Sequence, residues 1–149
     1  MNIFFVALGG ALGASLRWLT SCAVLQLNKH LPAQLPLFYA TFLCNCLGCF
    51  IIGFASTLFL HGFSQGIPLN TNTLLNGLFS LYIKHEHFKL FLITGLLGGF
   101  TTFSTFSLES LDLLEQASLT QAGLYIAASI AVCLFACFAG KLCAQNLLS

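Results

Sequence analysis

Charge is what this 149-residue sequence has least of: five Lys or Arg and four Asp or Glu, 6% of the chain. A soluble domain carries about a quarter charged residues, so water is not the solvent for most of this surface. The net charge of +1 supplies no basic field, which argues against a nucleic-acid partner. The N-terminal stretch "MNIFFVALGG" lacks the basic region that opens a secretory signal peptide, and its apolar character continues past a signal core. It is expected to remain as a helix. The apolar runs hold no nucleophile beside a base and no His near a carboxylate, so an enzyme is the least fitting class. The first run also lacks the deep carboxylate that a small proton-coupled multidrug transporter requires.

What the sequence has in abundance is hydrocarbon: 58% hydrophobic residues, sixteen Phe and a mean hydropathy of +0.93. These define an all-α integral membrane protein. About 20 apolar helical residues cross a bilayer core about 30 Å thick, and four runs qualify, at about residues 2–27, 36–60, 88–111 and 120–144. Together they form a single four-helix transmembrane domain over residues 1–149, with both termini on one side. Short connections join the first to the second span and the third to the fourth. A long connection, 61–87, joins the middle pair, and its apolar core "TLLNGLFSLYI" is too short to cross, which predicts an interfacial helix. Lys84, Lys89 and Lys141 against Lys29 give only a slight lean toward cytoplasmic termini.

The seven cysteines all fall in apolar runs and are expected as free thiols, since buried Cys behaves as a small, soft hydrophobe. In "CNCLGC", Cys44 and Cys46 point to different helical faces, which disfavours a metal site. "HEH", His85 to His87, falls at a membrane boundary. A solvated cap is the simple reading there, and pH sensitivity stays open.

Polar groups in hydrocarbon are costly without a partner or a wet path, so their placement is informative. Thr41, Asn45 and Gly48 share one face of the second span, and Tyr125, Ser129 and Cys133 repeat at four-residue steps in the fourth. Such residues serve either as glue between helices or as donors into a narrow space, and pattern alone leaves both open. Gly9, Gly13 and Arg17 share a face of the first span that permits close backbone approach. Arg17 either snorkels to the interface or lines an entrance that attracts anions.

The third span carries "GGFTTFSTF", Gly98 to Phe106. Two adjacent glycines followed by Thr101 and Thr102 predict a break in the helix near Gly98–Thr102. At bilayer depth a break is tolerated only where protein, ion or water satisfies the freed backbone. Broken helices of this kind form ion sites, carbonyls holding cations and half-helix N-termini favouring anions. Phe103 and Phe106 follow on one face, and the positive edges of their rings can meet an anion. Glu109 falls close to the expected end of this span, where a solvated helix end is the simple reading.

"GGALGASLRW" (9–18), "TFLCNCLGCFIIG" (41–53) and "GLLGGFTTFSTFSLES" (95–110) resemble the signature segments of the Fluc fluoride channels, the CrcB family. The resemblance spans all four runs in order. It implies a passive fluoride exporter of the cell membrane, built as an antiparallel homodimer with two pores; if the lean in charge fixes one orientation, an oppositely inserted paralogue is needed as the partner. It implies a structural sodium ion held by the carbonyls of Gly98 and Thr101 at the dimer centre. It further implies a fluoride path along Asn45, Phe103 and Phe106 with Thr41, Ser104, Thr105, Tyr125 and Ser129, and a vestibule arginine at Arg17. The 61–87 connection is longer than the family's usual loop. A charge-free path of fixed donors suits a small anion that must shed water without being trapped. The competing classes are the multidrug-type transporter and a non-conducting assembly subunit whose polar stripes are only packing.

Overall fold

The computed structural model describes residues 2–31, 36–64, 86–116 and 119–148. Among these every regular element is helical: α1 (Asn2–Asn28), α2 (Phe38–Ser64), α3 (Glu86–Lys89), a π-helix (Leu90–Leu97), α4 (Gly98–Phe100), α5 (Phe103–Glu115) and α6 (Leu119–Leu148). Four stretches are long and apolar enough to cross a membrane: Asn2–Asn28, Phe38–Phe59, His87–Glu115 and Leu119–Leu148. At about 1.5 Å per residue each exceeds the hydrocarbon thickness, so their ends reach the interfacial layers. The interfacial helix expected around residues 73–83 lies outside the described residues.

Each end has a local cause. The last turn of α1 tightens, with the Lys29 and His30 amides donating to Gln26 O and Leu27 O at 3.1 and 3.0 Å. Pro36 opens α2, its carbonyl accepting from Tyr39 N at 3.1 Å, because proline suits a first turn whose amides lack partners. Helix α5 ends where Gln116 N donates to Asp112 O at 3.0 Å.

Packing organises the spans as two close pairs, α2 along α6 and α1 along the π-helix. Both pairs are closed by glycine. A Cβ at Gly13 would overlap the Leu96 carbonyl, one at Gly53 the Cys137 carbonyl, and one at Gly140 the Phe50 carbonyl. The glycines are therefore what lets the backbones touch, as expected where lipid supplies no hydrophobic driving force. Large apolar side chains such as Phe4, Trp18, Leu124 and Phe135 point outward, which fits a lipid-facing surface. Many buried positions are small or polar, among them Ala40, Thr41, Cys44, Thr57, Ala122 and Ser129, with Leu58, Phe59, Leu97 and Phe106 as larger buried residues.

The third span breaks within the expected Gly98–Thr102 stretch: Gly98 and Gly99 stay helical, and the extended residues are Thr101 (φ −79°, ψ 156°) and Thr102 (φ −150°, ψ 118°). Gly99 is needed for contact: a Cβ there would stand 2.7 Å from Gly10 O. Ahead of the break the backbone widens into the π-helix, whose following Gly98 amide donates back to Ile93 O as well as Gly95 O. Insertions of this kind favour functional sites in helices. The span also runs to Glu115, beyond the expected stop near residue 111, because its final turns can carry Asp112 and Glu115 into water.

Candidate functional site

The break is held open by a side chain from another helix. Thr102 N donates to Asn45 Oδ1 at 2.8 Å, and Asn45 Nδ2 donates back to Thr102 O at 3.1 Å. Asn45 thus satisfies both backbone groups of one extended residue, which an unpartnered peptide at bilayer depth requires. The Thr102 hydroxyl caps α5 by accepting from Thr105 N at 3.2 Å, and it sits 3.2 Å from Ser104 Oγ and 3.0 Å from Thr105 Oγ1. Thr101 closes the preceding turn, its N and Oγ1 both donating to Leu97 O at 3.0 Å.

This arrangement has a consequence for two carbonyls. In an unbroken α-helix the amides of residues 102 and 105 would bond to the carbonyls of residues 98 and 101. Here those amides go to Asn45 Oδ1 and Thr102 Oγ1. The Gly98 and Thr101 oxygens thereby lose their helical donors at the break.

Beside the break lies a groove of about 280 Å³, its wall including Asn45, Thr102, Phe103, Phe106 and Ser129. Phe103 is 79% exposed and Phe106 only 9%, with ring centroids 5.6 Å apart and planes tilted by 45°. Ser129 Oγ is buried, with no hydrogen-bond partner among the described residues. It lines the groove and interacts with Tyr125 one turn away, but no atom of the described residues stands at full hydrogen-bonding geometry to it, a situation that asks for an explanation.

Phe106 continues to Tyr125 at 5.4 Å, and Tyr125 to Phe38 at 4.9 Å. Past that aromatic seam opens a larger cavity of about 800 Å³, lined in part by Tyr39, Glu109, Asp112, Gln116 and Tyr125. At the seam, Thr41 Oγ1 and Tyr125 OH donate to Glu109 Oε1 and Oε2, each at 2.8 Å. Glu109 is therefore half-buried and joins α2, α5 and α6. The reading of a solvated helix end is corrected, because α5 continues beyond it to Glu115.

The expected residues do not all meet. Thr41, Asn45, Phe103, Phe106, Tyr125 and Ser129 fall along the two cavities or their seam. Ser104 and Thr105 are occupied at the cap of α5. Arg17 is half-buried on α1 and lines neither cavity, its carbonyl accepting from Ser21 Oγ at 3.3 Å. Reasoning from sequence named Thr102 only as part of the break and read Glu109 as a helix end. The spacing of Thr102 to Thr105 is an N-cap signal, whereas the partners of Glu109 come from other helices and leave no local trace.

Four membrane-spanning helices, the third interrupted beside a groove that holds a few polar groups, define a multi-pass membrane protein of the kind whose broken helices serve ions or solutes. Comparison with known sequences narrows this. Residues 4–141 match the family model described as CrcB-like protein, Camphor Resistance (CrcB). The chain belongs to the CrcB family. A relative in Flavobacterium psychrophilum named fluoride-specific ion channel FluC is 37% identical, covering 98% of both chains. Proteins of the same name in Roseobacter denitrificans and Rhizobium etli are also 37% identical, covering 93% and 94% of this chain and 91% and 93% of theirs.

Proposed function

We propose that the chain is a fluoride-selective channel that lets fluoride leave the cell passively across the membrane. The observation that carries this is the groove. It offers a buried hydroxyl with no hydrogen-bond partner among the described residues, Ser129, an amide from Asn45, and the edges of Phe103 and Phe106, with no cationic side chain among its lining residues. Fixed donors and ring edges can replace part of the hydration shell of a small anion. A lysine there would hold the anion too long to conduct. The relatives carry the name fluoride-specific ion channel, which supports the same reading, and the activity is permeation rather than catalysis.

In this reading an anion enters from the cavity beside Tyr39 and Tyr125, passes the seam at Phe106 and reaches Asn45 and Ser129. Phe103 is largely uncovered in the single chain, and a second copy inserted in the opposite sense would cover it. We therefore place the working unit as an antiparallel homodimer, with an oppositely oriented paralogue as the variant partner. The Gly98 and Thr101 carbonyls, stripped of helical donors, fit a sodium ion at the junction of the two copies. Bound there, it would supply positive charge and hold the breaks together.

The test is fluoride efflux from liposomes containing purified protein, read with a fluoride electrode, with chloride efflux run in parallel. Release of fluoride without chloride is the expected outcome. Silence from folded protein, alone and after co-expression with a paralogue, would leave the non-conducting reading.

A further inference from the structure

The wall of the groove holds thiols that anion passage does not use. Cys46 and Cys49 stand one turn apart on α2, and Cys133 and Cys137 one turn apart on α6. The close approach of the two backbones at Gly53 and Gly140 brings these ridges face to face. Cys46 Sγ lies 3.9 Å from Cys133 Sγ. Cys49 also interacts with Cys133, and both of these line the groove. All four are free and half-buried.

Among the described residues no group of three or more His, Cys, Asp and Glu is arranged to hold a metal ion. A tetrahedral zinc site is therefore not built here. A soft ion that takes two sulfurs in line needs only one pair. Two metal–sulfur bonds of about 2.3 Å laid end to end span about 4.6 Å, which thiols at 3.9 Å reach by a small turn about χ1. Charge then selects the ion. A divalent ion that displaces one proton from each thiol leaves the site neutral, as it was before. A monovalent ion leaves a net negative charge, which the bilayer interior penalises and which would stand beside an anion path.

We propose that Cys46 and Cys133 form a two-coordinate site for mercuric ion, and that filling it closes the groove. The exchange is HgCl2 + 2 RSH → RS–Hg–SR + 2 H⁺ + 2 Cl⁻, with two S–H and two Hg–Cl bonds broken, two Hg–S bonds formed and no change of oxidation state. The bridge staples α2 to α6 at the residue next to Asn45 and one turn from Ser129. Its effect on flux rests on the channel reading, whereas the binding itself does not.

The experiment uses full-length protein freed of reducing agent. HgCl2 is titrated while the near-ultraviolet mercury–thiolate charge-transfer absorbance is followed, and liposome fluoride efflux is measured before and after addition. The expected result is a tight, one-per-chain phase that coincides with loss of fluoride efflux. It should disappear in Cys46→Ser and in Cys133→Ser, both checked for folding by size exclusion, and persist in the Cys22→Ser/Cys143→Ser double variant. Survival of the tight phase in folded Cys46→Ser would overturn the assigned pair. Tight binding with undiminished efflux would overturn the closure. Absence of efflux before any mercury is added would count against the channel reading alone, and the absorbance arm would still decide the site.

Discussion

Asn45 gives Thr102 the two backbone partners that a neighbouring strand would give it in a sheet. Leaving a buried donor unsatisfied costs about 1–3 kcal/mol, and Asn45→Leu leaves two backbone groups without partners at once. We expect this variant to melt earlier in detergent and to lose fluoride flux. Unchanged thermal stability would mean the clasp does not hold the break. Glu109 poses a second, separable question. Its carboxylate accepts from two hydroxyls, and hydrogen bonds to a charged acceptor are worth about 1.5–3 kcal/mol. Glu109→Gln keeps one acceptor and can reverse the other contact, so it should destabilise less than Glu109→Ala. Equal melting temperatures for the two variants would show that the joint between α2, α5 and α6 contributes little.

At the scale of the element, the third span is three conformations in sequence: a π-helix, a short α-turn and a capped α-helix separated by two extended threonines. The cap is testable. Replacing an N-cap Thr by Ala costs about 0.5–2 kcal/mol, so Thr102→Ala should lower stability, whereas Thr102→Ser, which retains the oxygen, should not. Equal effects of the two substitutions would assign the loss to the threonine methyl group rather than to the hydroxyl. Much of this span was legible beforehand. The clustering of glycine with hydroxyl residues signalled a break, and the Gly9 and Gly13 spacing signalled a helix that others approach closely. The break was legible to within Gly98–Thr102; which of these residues leave the helix was not, because Gly98 and Gly99 have low helix propensity yet stay helical, Gly99 packed closely against Gly10 of α1. The π-helix was hidden for another reason. Its sequence, "LFLITGLL", is apolar throughout, so no polar stripe marks the change of period. Glu109 was misread because charged residues beyond it resembled a helix end, and its partners, Thr41 and Tyr125, lie 68 and 16 residues away.

For the whole molecule, the decisive feature is that the groove has a side the described residues do not close. Phe103, at 79% exposure, would meet lipid if the chain stood alone, and an anion passing it would lie against hydrocarbon. That cost is high for an unpaired charge, so the path proposed above calls for another protein surface over Phe103. The carbonyls of Gly98 and Thr101 add a second condition, since oxygens freed from helical donors at that depth need a cation or a donor. Both conditions are met if two copies meet at the break around sodium. The expected outcome is that protein purified in sodium elutes as a two-chain species and conducts. Exchange of sodium for a larger monovalent cation throughout purification should weaken the pairing and the fluoride flux together. A two-chain species that is stable and fully active without sodium would separate the conditions, leaving dimerisation to packing over Phe103 and removing the ion from the break. A single-chain species that still conducts would remove both, because the uncovered ring would then lie on no anion path at all.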